Sequence, residues 1–175
     1  MYAAHFAAGL AIGARARRAP MWALLAGAFL PDIVWISLAA AGVEPATTSM
    51  FFDDWSHSLI SVAIEASVLA LCFVRGGRGI WIPVWLAVFS HFLLDAIIHP
   101  RPVALYPHSA IHAPWSLWHW GETQVVLGFT HYWWVQFGLT VPLLYVYVMG
   151  MRRQKFALDL TWATVLTVLG LHLIV

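Results

Sequence analysis

Ionisable side chains recur at helical spacing inside segments of this chain that are otherwise apolar. After Pro83, the residues His91, Asp95 and His99 stand at positions i, i+4 and i+8. An earlier stripe with the same spacing consists of Asp53, His57, Ser61 and Glu65. Residues four apart share one face of a helix, so each stripe is predicted to line one side of an apolar helix. Burying such groups in apolar surroundings is costly, which indicates that they face a partner, a cavity or an ion.

A divalent metal is the simplest reason to bury several of these groups together. The candidate ligands are His5, Asp32, His57, His91 and Asp95. Imidazole nitrogen and carboxylate oxygen without thiolate suit zinc first, with iron or manganese as alternatives. A site with an open position lowers the pKa of bound water toward neutrality. Glu65 or Asp54 would then act as a general base, or as an acceptor that orients a ligating histidine.

Each polar residue also has a simpler interpretation when it is taken alone. His131 and His172 are interpreted as structural hydrogen-bonding side chains. Asp32 alone would clamp a helix bundle, and Asp95 with His99 would form a local pair near an interface. Sharing one site offsets the cost of burying each group separately, which favours the metal hypothesis.

The composition predicts an integral membrane protein of one domain, residues 1–175. Hydrophobic residues make up 62% of the 175 residues and charged residues only 10%. A soluble domain is about half apolar and about a quarter charged. The balance of charge excludes a nucleic-acid-binding surface of interleaved basic and aromatic residues. The single cysteine, Cys72, excludes an intrachain disulfide and a cysteine-rich zinc site.

Long apolar stretches predict an all-α, polytopic transmembrane bundle. Five of them approach the roughly 20 residues needed to cross a bilayer, and they are 20–43, 57–74, 80–98, 127–150 and 157–175. A shorter helix at 2–14 precedes them and is predicted to form a tight hairpin with 20–43, turning at arginines. Pro31, directly before Asp32, is expected to kink the second helix and free backbone carbonyls beside the acid.

The basic residues alternate between the connections of these stretches. Eight of the nine fall in the connections 15–19, 75–79 and 151–156, and only Arg101 falls in the alternate ones. The positive-inside rule places the basic loops in the cytoplasm and the C-terminus on the outer side of the membrane. The outer connection 99–126 is rich in proline, histidine and tryptophan, and is predicted to lie as a lid over the outer helix ends.

Several motifs, taken in order, resemble a family of small bacterial proteins known as membrane-bound metal-dependent hydrolases. After His5 they are LPDIVW at 30–35, WSHS at 55–58, SHFLLD at 90–95, HPRPVALYP at 99–107 and SLW at 116–118. The resemblance covers about residues 5–120 and implies a helical membrane fold with a metal bound by His5, Asp32, His57, His91 and Asp95. Some members carry a second acid after the Pro-Asp pair and an Arg-Gly before the histidine motif. Val34-Trp35 and Asp54-Trp55 stand there instead, which favours a single metal.

The predicted depth of these residues, between mid-bilayer and the outer interface, suggests a substrate already in the membrane. The first hypothesis is a metal-dependent hydrolase of an amphiphilic or lipid-linked ester or phosphoester. The second is a non-catalytic accessory subunit of a larger membrane complex, built on the same scaffold. The third is an ion or proton pathway, since buried acids and histidines also form relays.

Overall fold

The computed structural model describes residues 2–44, 54–98, 103–112, 125–126, 129–153 and 158–174. Within these ranges the regular elements are helices, apart from a 3-10 turn at Val74–Gly76 and one pair of two-residue strands. Residues 103–112 are non-helical and contain an isolated antiparallel bridge between Ala104 and His112. The helices are α1 (Tyr2–Arg15), α2 (Met21–Ala28), α3 (Leu30–Ala40), α4 (Asp54–His57), α5 (Leu59–Leu71), α6 (Arg78–Ile98), α7 (His131–Arg153) and α8 (Leu158–Ile174). The antiparallel strands β1 (Val125–Val126) and β2 (Phe129–Thr130) lead directly into α7.

The prediction of five long membrane spans is wrong. Among the described residues, only α6 and α7 are long and apolar enough to cross a bilayer, and their candidate spans are Arg78–Ile97 and Trp133–Arg153. The helices α2 and α3 pass the same test only as a pair, and they are bent by 48° where they meet. The described chain therefore has two candidate spans, or three if the bent pair forms one span.

Local signals interrupt the other apolar stretches. Ser58 has an extended backbone, and its side chain accepts a hydrogen bond from the Ser61 amide, so it begins α5. With 13 residues in α5 and 14 in α1, these helices extend about 20 Å at 1.5 Å per residue, short of the roughly 30 Å hydrocarbon core. The apolar part of α8 described as a helix, Thr161–Gly170, is shorter still.

The junction between α2 and α3 agrees with the expected kink. Pro31 lies in the first turn of α3 and is fully buried. It has no amide hydrogen to donate to the preceding turn, so the α2 hydrogen-bond pattern cannot continue through it. The bend leaves the last carbonyls of α2 available to other partners and places Asp32 in the first turn of α3.

The short first helix is central to the described bundle. It packs against α7, α2, α6 and α8. Small side chains allow this close packing, because a Cβ atom at Gly9 would lie only 3.3 Å from the carbonyl oxygen of Leu24. As predicted, α1 and α2 form a close hairpin whose turn contains the arginines at 15, 17 and 18.

The described part of the outer connection, residues 103–112, docks on the start of α5. The amides of Leu59 and Ile60 donate to the carbonyls of Ala104 and Leu105, each at 3.1 Å. These bonds satisfy donors that a helix N-terminus leaves unpaired. Residues 99–102 and 113–124 lie outside the described residues, and the lid over the outer helix ends stays a prediction.

Candidate metal centre

Four helices bring the five predicted ligands together. His5 comes from α1, Asp32 from α3 and His57 from the end of α4, while His91 and Asp95 lie one turn apart on α6. His5 and His91 are each 1% exposed and Asp95 is 3% exposed. The Asp32 side chain is 19% exposed and is the most accessible member. The structure thus places all five residues in one mostly buried cluster.

Asp95 is the central carboxylate of this cluster. Its Oδ1 lies 3.2 Å from His5 Nε2, and its Oδ2 lies 3.3 Å from His91 Nε2 and 3.8 Å from His57 Nε2. Asp95 therefore faces the same ring nitrogen of all three histidines.

Asp32 approaches from the other side. Its Oδ1 lies 3.5 Å from His57 Nε2 and 3.9 Å from His91 Nε2. The ring of His91 also stacks on that of His5, with centroids 3.8 Å apart and planes 3° from parallel. Two triplets have ligand atoms close enough to hold a metal ion, His5–His91–Asp95 and Asp32–His57–His91. Because they share His91, they form one compact centre.

The hydrogen bond at Nδ1 determines the tautomer of His91. This nitrogen lies 2.7 Å from the carbonyl oxygen of Ala28, the last residue of α2. A carbonyl oxygen can only accept, so Nδ1 carries the hydrogen and donates it. In the neutral ring, Nε2 then presents a lone pair toward Asp95 and Asp32.

A chain through Ser56 orients His57 in the same way. Ser56 Oγ donates to Glu44 Oε2 at 2.8 Å, and it lies 2.7 Å from His57 Nδ1. Since the hydroxyl hydrogen is directed to Glu44, the hydroxyl oxygen accepts from Nδ1, and His57 Nε2 is left with a lone pair. Glu44 is 4% exposed and also accepts from the amides of Trp55 and Ser56, at 2.7 and 3.0 Å.

The arrangement requires a cation between these groups. Two Nε2 lone pairs face carboxylate oxygens, and lone pairs directed at negative oxygens repel unless a proton or a metal ion lies between them. Asp32 Oδ2 and His5 Nδ1 are buried and have no hydrogen-bond partner among the described residues. A second proton on an imidazole ring or a bound metal ion would supply the positive charge that these groups favour.

The spacing of the centre fits a metal. Two ligand atoms held about 2.1 Å from one tetrahedral ion lie about 3.4 Å apart. The nitrogen–oxygen separations here run from 3.2 to 3.9 Å. Three imidazoles and two carboxylates are also a donor set that divalent transition metals accept. The buried His/Asp cluster could therefore hold a metal ion.

The two predicted acid–base residues occupy different surroundings. Glu65, on α5, is partly buried, and its Oε2 has no hydrogen-bond partner within the described ranges. Burial raises the pKa of Glu65 to about 8, opposed by nearby His91 and reinforced by Glu44. Asp54 is buried, and its Oδ2 accepts from the His108 amide at 3.1 Å, which fastens residues 103–112 to α4.

His5 lies on α1, outside the candidate spans, and is held in the neutral form. Burial lowers the pKa of His5 to about 4; His91 lowers it further, and Asp95 opposes both. A neutral imidazole is the form that binds metals.

Sequence reasoning did not identify Glu44 and Ser56 as parts of the centre. Ser56 stands inside the WSHS motif, directly before a predicted ligand, and that position is the signal that could have found it. Asp53 and His99, the outer ends of the two polar stripes, lie outside the described residues, as do the side chains of His131 and His172.

Comparison of the chain with models of protein families, with curated proteins and with solved structures gives no match.

Proposed function

We propose that this protein is a membrane-embedded metalloenzyme that hydrolyses an ester or phosphoester bond of an amphiphilic or lipid-linked molecule. The observation that carries the proposal is the direction of two histidine lone pairs toward Asp95 and Asp32, fixed by hydrogen bonds at the opposite ring nitrogens. Histidine ligands of metal sites are oriented by such bonds. The resemblance to membrane-bound metal-dependent hydrolases supports the same reaction class.

Zinc is the metal that this donor set favours, and His57, His91, Asp32 and Asp95 would hold it, with His5 completing the set. A bound zinc ion supplies Lewis acidity to the hydrolysis. Glu65, whose pKa of about 8 keeps it largely protonated at neutral pH, would deliver a proton to the leaving group. Asp32, at 19% side-chain exposure, offers the side from which a substrate would approach.

The membrane supplies the substrate in this proposal. The ligands Asp32, His91 and Asp95 belong to candidate membrane-spanning helices, so a molecule that already lies in the bilayer reaches them most directly. The resemblance supports a bacterial inner membrane, and the positive-inside rule supports basic connections in the cytoplasm, so the centre would open toward the outer leaflet.

Metal analysis of the purified protein tests the proposal. We expect about one zinc ion per chain, since the two triplets share His91. The variant His91→Ala should lose the zinc because it removes the shared ligand. The exposed His112 is the matched control, and His112→Ala should retain it. An absence of transition metal from protein prepared without chelators would contradict a metal centre.

The variant Glu65→Gln separates metal binding from hydrolysis. It should keep the zinc but lose hydrolysis of amphiphilic esters and phosphoesters, typically by about 10²- to 10⁴-fold for a lost acid–base group. Full activity in Glu65→Gln would remove this residue from the reaction.

The burial of the centre favours a second candidate, a non-catalytic accessory subunit with a structural metal. His5, His91 and Asp95 are nearly inaccessible, and structural zinc sites are closed. This candidate predicts a stoichiometric partner that co-purifies in mild detergent and separates from His91→Ala but not from Glu65→Gln. Zinc-dependent hydrolysis by the isolated chain would decide for the enzyme.

A further inference from the structure

A groove of about 890 Å³ runs between α1, α6 and α7, away from the metal centre. Its walls are mostly small or aliphatic side chains, including Ala8, Ala11 and Ile12 of α1, Leu86 of α6, and Leu143 and Val146 of α7. None of the five predicted metal ligands lines it. Its two long walls, α6 and α7, contain the two continuous candidate spans, so in a bilayer the groove would lie at the depth of the hydrocarbon.

The groove ends at a cluster of arginines. Arg15, Arg17 and Arg18 line this end, and a smaller cavity of about 260 Å³ beside it is lined by Arg15, Arg17 and Arg153. The approach of α7 to α1 brings Arg153 into the cluster, because a Cβ atom at Gly150 would lie 3.0 Å from the Ala14 carbonyl oxygen.

The four arginines are exposed, and none forms an ion pair with an acidic side chain in the part of the chain that the structure describes. Four positive charges at one end of an apolar groove are complementary to an anion that carries a hydrocarbon tail. A soluble anion would leave the apolar walls without a partner.

The length of the groove matches one leaflet. Its α6 wall runs from Gly79 to Ser90, which at 1.5 Å per residue is about 16 Å. Half of a hydrocarbon core about 30 Å thick is about 15 Å. At the deep end, Ser90 Oγ donates to the Ala87 carbonyl, so its hydroxyl hydrogen bond stays within the helix.

We propose that this groove is a binding site for one anionic phospholipid, with the phosphate among Arg15, Arg17 and Arg153 and an acyl chain along the groove. The lipid would fill the space that α1, α6 and α7 leave between them and would bridge the ends of α1 and α7. The site is independent of the proposed hydrolysis, since it shares none of the metal ligands.

The test is a titration of the purified full chain with phosphatidylglycerol, and with phosphatidylcholine of the same acyl chains, followed by native mass spectrometry. We expect one phosphatidylglycerol molecule to bind tightly and phosphatidylcholine to bind more weakly. In the double variant Arg15→Gln/Arg17→Gln the affinity for phosphatidylglycerol should fall about 25-fold, because each basic residue near an anionic surface contributes a factor of about five. The matched control Arg75→Gln/Arg78→Gln removes two exposed arginines that do not line the groove, and should bind as the unmodified protein does.

A second pair of variants tests the acyl-chain half of the site. Leu86→Trp fills the groove from its α6 wall and should displace the lipid, whereas Ile82→Trp, at an exposed α6 position outside the groove, should not. Equal binding of the two lipids, or equal losses in the matched arginine pairs, would overturn the proposal. All four variants should keep the zinc content of the unmodified protein, so a failure here is distinguishable from a failure of the metal centre.

Discussion

At the scale of single residues, the centre is defined by hydrogen bonds at Nδ1 of two histidines, the ring nitrogen that does not face the carboxylates. The Ala28 carbonyl fixes the ring of His91, and Ser56 fixes the ring of His57. Each bond leaves Nε2 as the only lone-pair nitrogen, so the carboxylates face acceptors rather than donors. With these tautomers, a second ring proton or a metal ion must lie between each Nε2 and its carboxylate, and this follows from the hydrogen bonds and not merely from the closeness of the residues.

Ser56→Ala tests this orienting role. The change removes the acceptor of the His57 Nδ1 hydrogen and breaks the connection to Glu44, while no proposed ligand is lost. Loss of such a supporting bond typically weakens metal binding about 10- to 100-fold, and we expect that range in a competition titration with a zinc chelator. Ser37→Ala is the control, since Ser37 Oγ donates only within its own helix, to the Ile33 carbonyl. Equal zinc affinity in the two variants would show that Ser56 does not orient His57.

The five proposed ligands could be identified as candidates from the sequence because their chemistry is local: each is an ionisable residue in an apolar segment. The role of Glu44 could not be predicted in this way. It reaches His57 through Ser56, which lies 12 positions further along the chain, and no helical periodicity relates positions in different elements.

At the scale of the helices, the break between α2 and α3 positions two parts of the centre. It frees the Ala28 carbonyl for His91, and it begins α3 so that Asp32 lies in the first turn. The prediction of a kink at Pro31 followed from the missing amide hydrogen of proline. The predicted span over 20–43 is a bent pair of helices and not one continuous helix, because hydropathy averages over a segment and does not register such a break.

The same reasoning explains the other mispredicted spans. The apolar stretch 57–74 contains Ser58, whose extended backbone divides α4 from α5. An average over 18 residues registers Ser58 only as one weakly polar position. Caps and prolines set the lengths of these helices, and composition sets only their apolar character.

Pro31→Ala tests the break directly. Alanine restores an amide hydrogen and favours a continuous helix, which would turn the Ala28 carbonyl inward and move Asp32 away from His57. We expect zinc affinity to fall at least about tenfold, as for other lost supporting contacts. Pro142→Ala is the control, because Pro142 is an exposed residue inside α7, which carries no proposed ligand. If Pro31→Ala binds zinc with unchanged affinity, the break is not needed to build the centre.

At the scale of the whole molecule, the centre joins elements that are far apart in the sequence. The proposed ligands come from α1, α3, α4 and α6, and the central helix α1 contributes His5. A bound ion would therefore cross-link four helices, three of which are too short to cross a bilayer by themselves. The ion would thereby stabilise the short helices in the bundle, because their hydrophobic length alone is not enough to hold them there.

Stability of the fold should consequently depend on the metal. An ion present at about 1,000 times its dissociation constant stabilises the folded state by about 4 kcal/mol. Removal also leaves the histidine lone pairs facing carboxylates without a cation between them. We expect a chelator to lower the unfolding temperature of the detergent-solubilised protein, as followed by tryptophan fluorescence.

Asp95→Asn distinguishes this effect from a general action of the chelator. An amide has nearly the shape of the carboxylate, but it carries no charge and can donate a hydrogen to the His91 Nε2 lone pair while its oxygen accepts from His5. The variant should bind little zinc, unfold at the same temperature with or without chelator, and be more stable than the chelated unmodified protein. If the chelator lowers the unfolding temperature of the variant and of the unmodified protein equally, the stabilising ion lies elsewhere. The negative charge of Asp95 is then balanced by protons alone.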